Sequence, residues 1–486
     1  MSEAAPRSVN YADTLPLAIS STQNRRSYYP QNGQAFTDDG SNIIRIDVNA
    51  DGLLDVQQSY LEFTLQSRVA ATRAFDQGHC WIKRLTIESG GVILEDINNY
   101  NRLVGGILQP AQGSAAYTGE MGVAQFSNCQ TDYQSLLNAA VVDGAGEVFP
   151  GVSFQNCHPG VVDSQAGPGA VDAANAVNGT GVMAAGGAGV VNAAAQFTGQ
   201  YHLACGFLNI DKYLPLVLMG QGFTIQLELD VGANIGVVTG GVAAPYTISN
   251  VKYVAHIVEM QRDFYDMMRN LQAQSGGSIM IGGSTYRHFS HAFQAADGGT
   301  EEINISARVR SLEALLWCSQ NTGAISNSNV YNLSDSITLG STSGAYNIFI
   351  GANRYPSNQV NWNNTTNKGE SYQELRKCFG ALGSINHGGL LNNSSYLVTP
   401  GAAAAPFGIT GTQGKQPAYA PYGISFRSWR HELEDGIDTS SRALPIRLSI
   451  SNAAGSVGAA PQTLDIFAQA TILFLFNMDG TVTASV

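Results

Sequence analysis

Few residues in this chain are spaced for chemistry. Asp47-Val-Asn49-Ala-Asp51-Gly52 sets carboxylate and amide oxygens at alternate positions, as the first half of a calcium loop does. The twelfth position is Gln58, not the bidentate Glu that completes such a loop, and strand-like sequence flanks it. Asp47, Asn49 and Asp51 are therefore a weak calcium candidate, and a tight Asp/Gly turn is the simpler expectation. His288 and His291 are three apart, which in an extended chain turns them to opposite faces and argues against a shared metal. Neither H-x-H nor H-E-x-x-H occurs, and there is no G-x-S-x-G turn for a serine nucleophile. Gly414-Lys415 is the nearest approach to a phosphate loop, but Ile409 stands where the first Gly is needed and Gln416 where a Ser or Thr would hold magnesium. Gly179-Thr-Gly181-Val-Met-Ala184 has the form of a dinucleotide fingerprint without the strand that must precede it. The six cysteines include no C-x-x-C pair, so buried free thiols are expected. No catalytic, cofactor-binding or firm metal-ligating constellation emerges, and the expectation is a protein that is not an enzyme and uses no cofactor.

The composition points elsewhere. Charged residues are 13% of the 486, about half the usual share, while hydrophobic residues are 44%. Charge is depleted where subunits bury surface against each other, so the deficit suits an obligate assembly. The net charge of −12 excludes a basic nucleic-acid coat. The N-terminal stretch offers only Arg7, Arg25 and Arg26 against Glu3 and Asp13, so no direct sequence-specific nucleic-acid binding is expected. The start lacks a basic-then-apolar leader, and the apolar run 470–476 is far shorter than the roughly 20 residues that span a bilayer, which predicts synthesis as a soluble protein.

The scaffold reads as strands. Ile43–Val48, Tyr60–Leu65, Phe223–Leu229 and Ile446–Ile450 alternate apolar and polar residues, the period of a half-buried strand. Helical signals are short: Ser371-Tyr-Gln-Glu374 reads as a capping box, Asp96–Leu103 and Asp132–Ala139 as two-turn helices, and Arg262–Gln272 as a helix with Phe264, Met267, Met268 and Leu271 on one face. Internal repetition sets the architecture. Residues 223–259 and 444–477 both read strand, Gly-rich loop, strand. IIRIDV followed by SYLEFTLQ opens one half, and EEINISAR followed by SLEALLWCSQ opens the other. Two tandem β-sandwiches are expected: an N-terminal arm over 1–40, a first sandwich over 41–265 with a long Gly/Ala-rich loop near 144–200, and a second over 266–486. The helix near 265 is expected to pack its Met and Phe face at the junction. Residues 384–422 form a second, milder loop.

The segment Trp81-Ile-Lys-Arg-Leu-Thr-Ile-Glu-Ser-Gly-Gly-Val-Ile-Leu-Glu95-Asp96-Ile-Asn-Asn-Tyr100-Asn-Arg102-Leu resembles the strand, tight turn, strand and short helix in the first roll of double-jelly-roll major capsid proteins, notably those of polinton-like viruses and virophages. Tyr213–Met219 with the strand after it, Gly351–Pro356, Ser371–Leu375 and Glu434–Thr439 are similar to later landmarks of that family, in the same order. The resemblance implies two eight-stranded jelly rolls in tandem and the major capsid protein of an icosahedral DNA virus. It implies a homotrimer that forms a pseudo-hexameric capsomer, tiling a virion shell with neighbouring capsomers and minor capsid or penton proteins, at times over an internal membrane. Within that picture Arg25, Arg26, Tyr28 and Tyr29 of the arm, and Phe264, Met267 and Met268 of the helix, are assembly candidates. A tandem β-sandwich that binds a carbohydrate or receptor, and a bicupin-like enzyme, are the alternatives. The second is disfavoured by the missing metal ligands.

Overall fold

A computed structural model describes residues 21–68, 72–75, 79–112, 196–210, 212–238, 245–293, 299–321, 343–363, 366–379, 391, 396–397, 419–428, 435–442, 444–452 and 462–486. The first half holds β1 (Ser21–Tyr28), β2 (Ala35–Thr37), β3 (Ile43–Val48), β4 (Leu53–Ser67), β5 (Thr72–Phe75), β6 (Ile82–Ser89), β7 (Val92–Asn98), β8 (Gln196–Tyr201), β9 (Leu214–Pro215), β10 (Phe223–Leu229), β11 (Gly236–Val238) and β12 (Tyr246–Met260). The second holds β13 (Ser278–Phe293), β14 (Thr300–Ile305), β15 (Leu312–Asn321), β16 (Ser343–Ile350), β17 (Asn353–Asn363), β18 (Tyr422–Ser425), β19 (Ile446–Asn452), β20 (Gln462–Asn477) and β21 (Val482–Ser485).

The two halves are wound alike. In the first, one sheet runs β1-β12-β4-β8, with β2 also on β12, and the other runs β3-β10-β6-β7. In the second, the sheets run β13-β20-β15-β18 and β14-β19-β16-β17. If β1 and β2 together count as one strand, and the small pairs β5–β11 and β9 and the extra β21 are set aside, each half has the same order of eight antiparallel strands. The last strand lies beside the first, and successive strands alternate between sheets except at the hairpins β6–β7 and β16–β17. That winding is the jelly roll, and the tandem fold expected from the sequence is the fold observed. The repeated sequence units fall on matching strands: β10 and β12 against β19 and β20, β3 and β4 against β14 and β15.

Alternation explains the ordinary strands. In β10, Phe223, Ile225, Leu227 and Leu229 are buried and the residues between them half-buried. β20 is different: Leu464 to Thr471 are buried without a break, as in a strand covered on both faces. One cover is its own roll, whose core holds Leu464, Ile466 and Phe467. The other is the first roll, whose Phe207 meets Phe474 edge to face at 5.0 Å.

Several expectations meet a different outcome. Residues 21–37, placed in an N-terminal arm by the sequence reading, form strand one of the first roll: β1 pairs with β12 from Ser21↔Met260 to Tyr28↔Tyr253. Nothing in STQNRRSY alternates, because β1 lies at the sheet edge with exposed side chains, held by its backbone ladder. Residues 1–20 lie outside the described part. The helix Arg262–Gln274 connects β12 to β13 across the expected boundary near 265, yet its apolar face is only partly covered among the described residues: Phe264 and Met268 are half-buried, while Met267 is 57% and Leu271 54% exposed. Gln272 is its buried side chain, donating Nε2 to the Phe476 carbonyl at 2.8 Å. Asp96, Ile97 and Asn98 belong to β7, and the helix there begins only at Tyr100. Ser371 does not cap a helix. It sits inside the helix Gly369–Cys378, buried, with Oγ bonded to the Tyr346 and Tyr396 hydroxyls at 3.1 and 2.9 Å. Asp132–Ala139, the Gly179 motif, Gly414-Lys415 and the loop 144–195 lie outside the described residues, as does most of 384–422. Among the described residues no helix is long and apolar enough to cross a membrane.

Candidate functional site

The chemistry-bearing side chains that the fold brings together lie between the rolls. β7 ends at Asn98, Asn99 turns the chain in a left-handed conformation (φ 49°), and a helical run follows: Tyr100–Leu103, the wider π-turn Val104–Leu108, then Gln109–Gln112. This path aims Glu95, Asn99 and Arg102 at the second roll. Glu95 Oε1 accepts from Gly206 N at 2.8 Å and from Thr285 Oγ1 of β13 at 2.6 Å, while Oε2 accepts from Phe207 N at 2.9 Å. One carboxylate thus satisfies donors from both rolls.

A second cluster centres on Asp465 of β20. Its Oδ1 takes Asn99 Nδ2 at 3.2 Å and His288 Nε2 at 2.9 Å, and its Oδ2 faces Arg102 Nε at 3.4 Å. Arg102 also donates Nη2 to the Ser319 carbonyl at 2.8 Å. The side chains of Arg102 and Asp465 are 2% and 4% exposed, so the pair is dry and its attraction little screened. Between the clusters the backbones touch: a Cβ on Gly283 would stand 2.7 Å from the Gly206 carbonyl oxygen. At one end Gly220 N donates to Gly480 O at 2.9 Å.

Burial controls the titration of these groups. Desolvation pushes the Glu95 carboxyl above its ordinary value, opposed in part by the Thr285, Gly206, Phe207 and Cys205 hydrogen bonds. It pushes the Cys318 thiol up to about 12 and raises Cys205 and Tyr100 as well, which leaves them protonated and inert. Among the described residues no group of three or more His, Cys, Asp or Glu is placed to hold a metal. Such an arrangement does mechanical work: it fixes one roll against the other.

His79, in the first roll's core, supplies a pH prediction. It is fully buried, its ring lies 5.9 Å from Tyr201, and its Nε2 has no hydrogen-bond partner among the described residues, so desolvation lowers its pKa from 6.5 to about 3. The folded protein refuses a proton that the unfolded chain accepts. Stability from this group is therefore full above pH 6.5 and is lost as pH falls toward 3, about 3–5 kcal/mol in all. Glu95 works the other way, its raised value costing stability as pH rises from the ordinary carboxylate range. Urea midpoints at pH 7 and pH 4 should converge in His79→Phe relative to the wild type. An unchanged gap would discount this histidine.

The sequence-nominated residues are not gathered into one site. Arg26 Nη2 pairs with Glu259 Oε1 at 2.5 Å, Arg25 Nη2 donates to the Tyr60 hydroxyl at 2.9 Å, and the Tyr28 hydroxyl donates to the Asn49 carbonyl at 2.8 Å, all within one roll. Tyr29 beside them is 64% exposed. Phe264 and Met268 are half-buried on the helix between the rolls. Asp47, at the end of β3, is engaged by Thr224 Oγ1 at 2.7 Å across the sheet, and Asn49 and Asp51 occupy the turn after it. His288 and His291 have separate partners, Asp465 and Glu301. Sequence reasoning passed over Glu95, Asn99, Arg102 and Asp465. The available signal was polar residues set in apolar company, as in VILEDINNYNRL and TLDIFAQ.

No family model matches the sequence, and no curated protein matches it. Solved structures do match in fold. A quasi-atomic model of the PBCV-1 virus capsid aligns over 98% of this chain and 99% of its own, at 9% identity and a TM-score of 0.54. The Faustovirus major capsid protein aligns over 95% and 91%, at 10% identity and 0.53. The mavirus major capsid protein aligns over 100% and 95%, at 10% identity and 0.50. Two jelly rolls joined in this way are the fold these proteins share with the chain.

Proposed function

We propose that this chain is a major capsid protein, a shell-building subunit of an icosahedral virion with no catalytic role. The observation that carries the reading is the match of both rolls, along nearly their whole length, to major capsid proteins. Three physical features support it. The buried seam makes two rolls one body, so three copies present six similar sandwiches and close a pseudo-hexagonal ring. Low charge suits lateral faces hidden against other capsomers. Met267 and Leu271, with Met280 and Met478 also exposed, leave apolar surface that a lone monomer has no use for.

The full-length protein, purified and examined by light scattering, should have a mass three times the 51.4 kDa chain. Negative-stain images should show hexagonal outlines. Met267→Asp combined with Leu271→Asp should shift trimer toward monomer with unchanged circular dichroism, since both side chains are exposed. A monomer at every concentration, with no hexagonal particles, would remove the proposal.

A further inference from the structure

The two rolls differ at strand one. In the second roll β13 pairs with β20 without a break, from Ser278↔Asn477 to Phe293↔Gln462. In the first roll the same strand is interrupted. β1 ends on β12 at Tyr28↔Tyr253, and β2 resumes at Ala35↔Ser249. The residues between leave the sheet for β3 of the opposite sheet: Gln31 N donates to Arg45 O at 3.0 Å, and Asn32 Nδ2 donates to Ile43 O at 2.6 Å. On β12, Asn250 takes a left-handed conformation (φ 52°), and the ladder to β4 slips between Ser249 and Lys252. The departure opens a cleft of about 590 Å³ in the polar face of the sheet, within the size range of ligand sites.

Its lining has a definite chemistry. Thr64 and Thr198 bring their hydroxyl oxygens to 3.2 Å, and Asn250 Nδ2 lies 3.4 Å from the Thr64 oxygen, close to the limit of a hydrogen bond. Hydroxyls and an amide both donate and accept. Lys252 Nζ and Glu62 Oε1 pair at 2.6 Å and cancel each other's charge. Tyr29, 64% exposed, stands at the lip with an apolar ring and a polar tip. An ionic ligand finds no uncompensated countercharge in this set. A wholly apolar one would strip water from hydroxyls and an amide without replacing those bonds. A compact molecule that carries hydroxyls on its edges and C–H groups on its face satisfies both the polar wall and the ring.

We propose that this cleft is a binding site for a neutral saccharide, with Thr64, Thr198 and Asn250 reading hydroxyls and Tyr29 stacking on the sugar face. The site belongs to a single roll, so it stands or falls separately from assembly.

The test is saturation-transfer NMR on the full-length chain with lactose, N-acetyllactosamine, maltotriose and mannotriose, and 3′-sialyllactose as a charged comparison. At least one neutral sugar should bind with a Kd of about 1 mM or tighter. Its affinity should fall at least about tenfold in both Tyr29→Ala and Thr198→Val, one removing the stacking ring and the other a hydroxyl. Both residues are exposed, so the fold should be retained in each variant, with circular dichroism as the check. No binding of any neutral sugar, binding confined to sialyllactose, or binding indifferent to both substitutions would each overturn the site.

Discussion

Asp465→Ala is expected to lower the unfolding free energy by about 3–5 kcal/mol, the cost of breaking a buried ion pair from one side. The carboxylate is the meeting point of His288, Asn99 and Arg102. Removing it leaves the Arg102 cation, 2% exposed, with its Ser319 carbonyl partner but without the countercharge. Because Arg102 belongs to one roll and Asp465 to the other, the loss falls on their coupling. Urea unfolding of the wild type should be a single transition, and that of the variant should separate into two, the seam opening before the sandwiches melt. Replacing both partners, with Arg102→Met and Asp465→Leu, should recover most of the stability, since an apolar pair of similar volume leaves no orphaned charge. A single variant within about 1 kcal/mol of wild type, still melting in one step, would mean the pair contributes little.

Much of the scaffold was legible because period-two patterning is local. Ile43–Val48 and Phe223–Leu229 were readable to the residue, and the repeated strand-loop-strand units carried the duplication. What escaped depends on neighbours distant in sequence. β1 has no apolar alternation, since its place at the edge of β12 is secured by backbone hydrogen bonds that any sequence can form. The helix Arg262–Gln274 reads as amphipathic, but amphipathicity does not name the surface that covers the apolar side, and among the described residues Met267 and Leu271 stay exposed. The seam residues were invisible for the opposite reason. Glu95 and Asp465 look like ordinary polar positions in strands until the other roll arrives to bury each of them. Glycine was read as a sign of turns, whereas Gly206 and Gly283 mark the place where two backbones approach.

That approach supports the second large effect. Gly283→Val should detach the rolls and, on the proposed function, abolish capsomer formation. A Cβ at 283 would sit 2.7 Å from the Gly206 carbonyl oxygen, and a Cβ at 206 would sit 2.8 Å from the Ser284 carbonyl oxygen and 3.0 Å from Ile472 Cγ2. The nearest obstacles are backbone atoms, so no side-chain rotation relieves the clash, and β13 must move away from the 205–207 segment. The same segment supplies two of the donors that satisfy Glu95, and Thr285 on β13 supplies the third. Separating the two therefore strips a buried carboxylate of its partners as well as creating strain, and about 3 kcal/mol or more is expected. The effect on assembly should exceed the effect on folding. The proposed ring of six sandwiches would close only when the angle within each pair is held, and a displaced β13 would change that angle in every subunit. Gly369→Ala is the matched comparison: nothing lies within 4 Å of its Cβ position, and it opens the helix Gly369–Cys378, where Ala is the better helix former. Size-exclusion profiles should show trimer for Gly369→Ala and dissociated, partly unfolded chain for Gly283→Val. Trimers of Gly283→Val in wild-type yield would show that the rolls can hinge at this contact, and the idea of a rigid two-roll body would have to be given up.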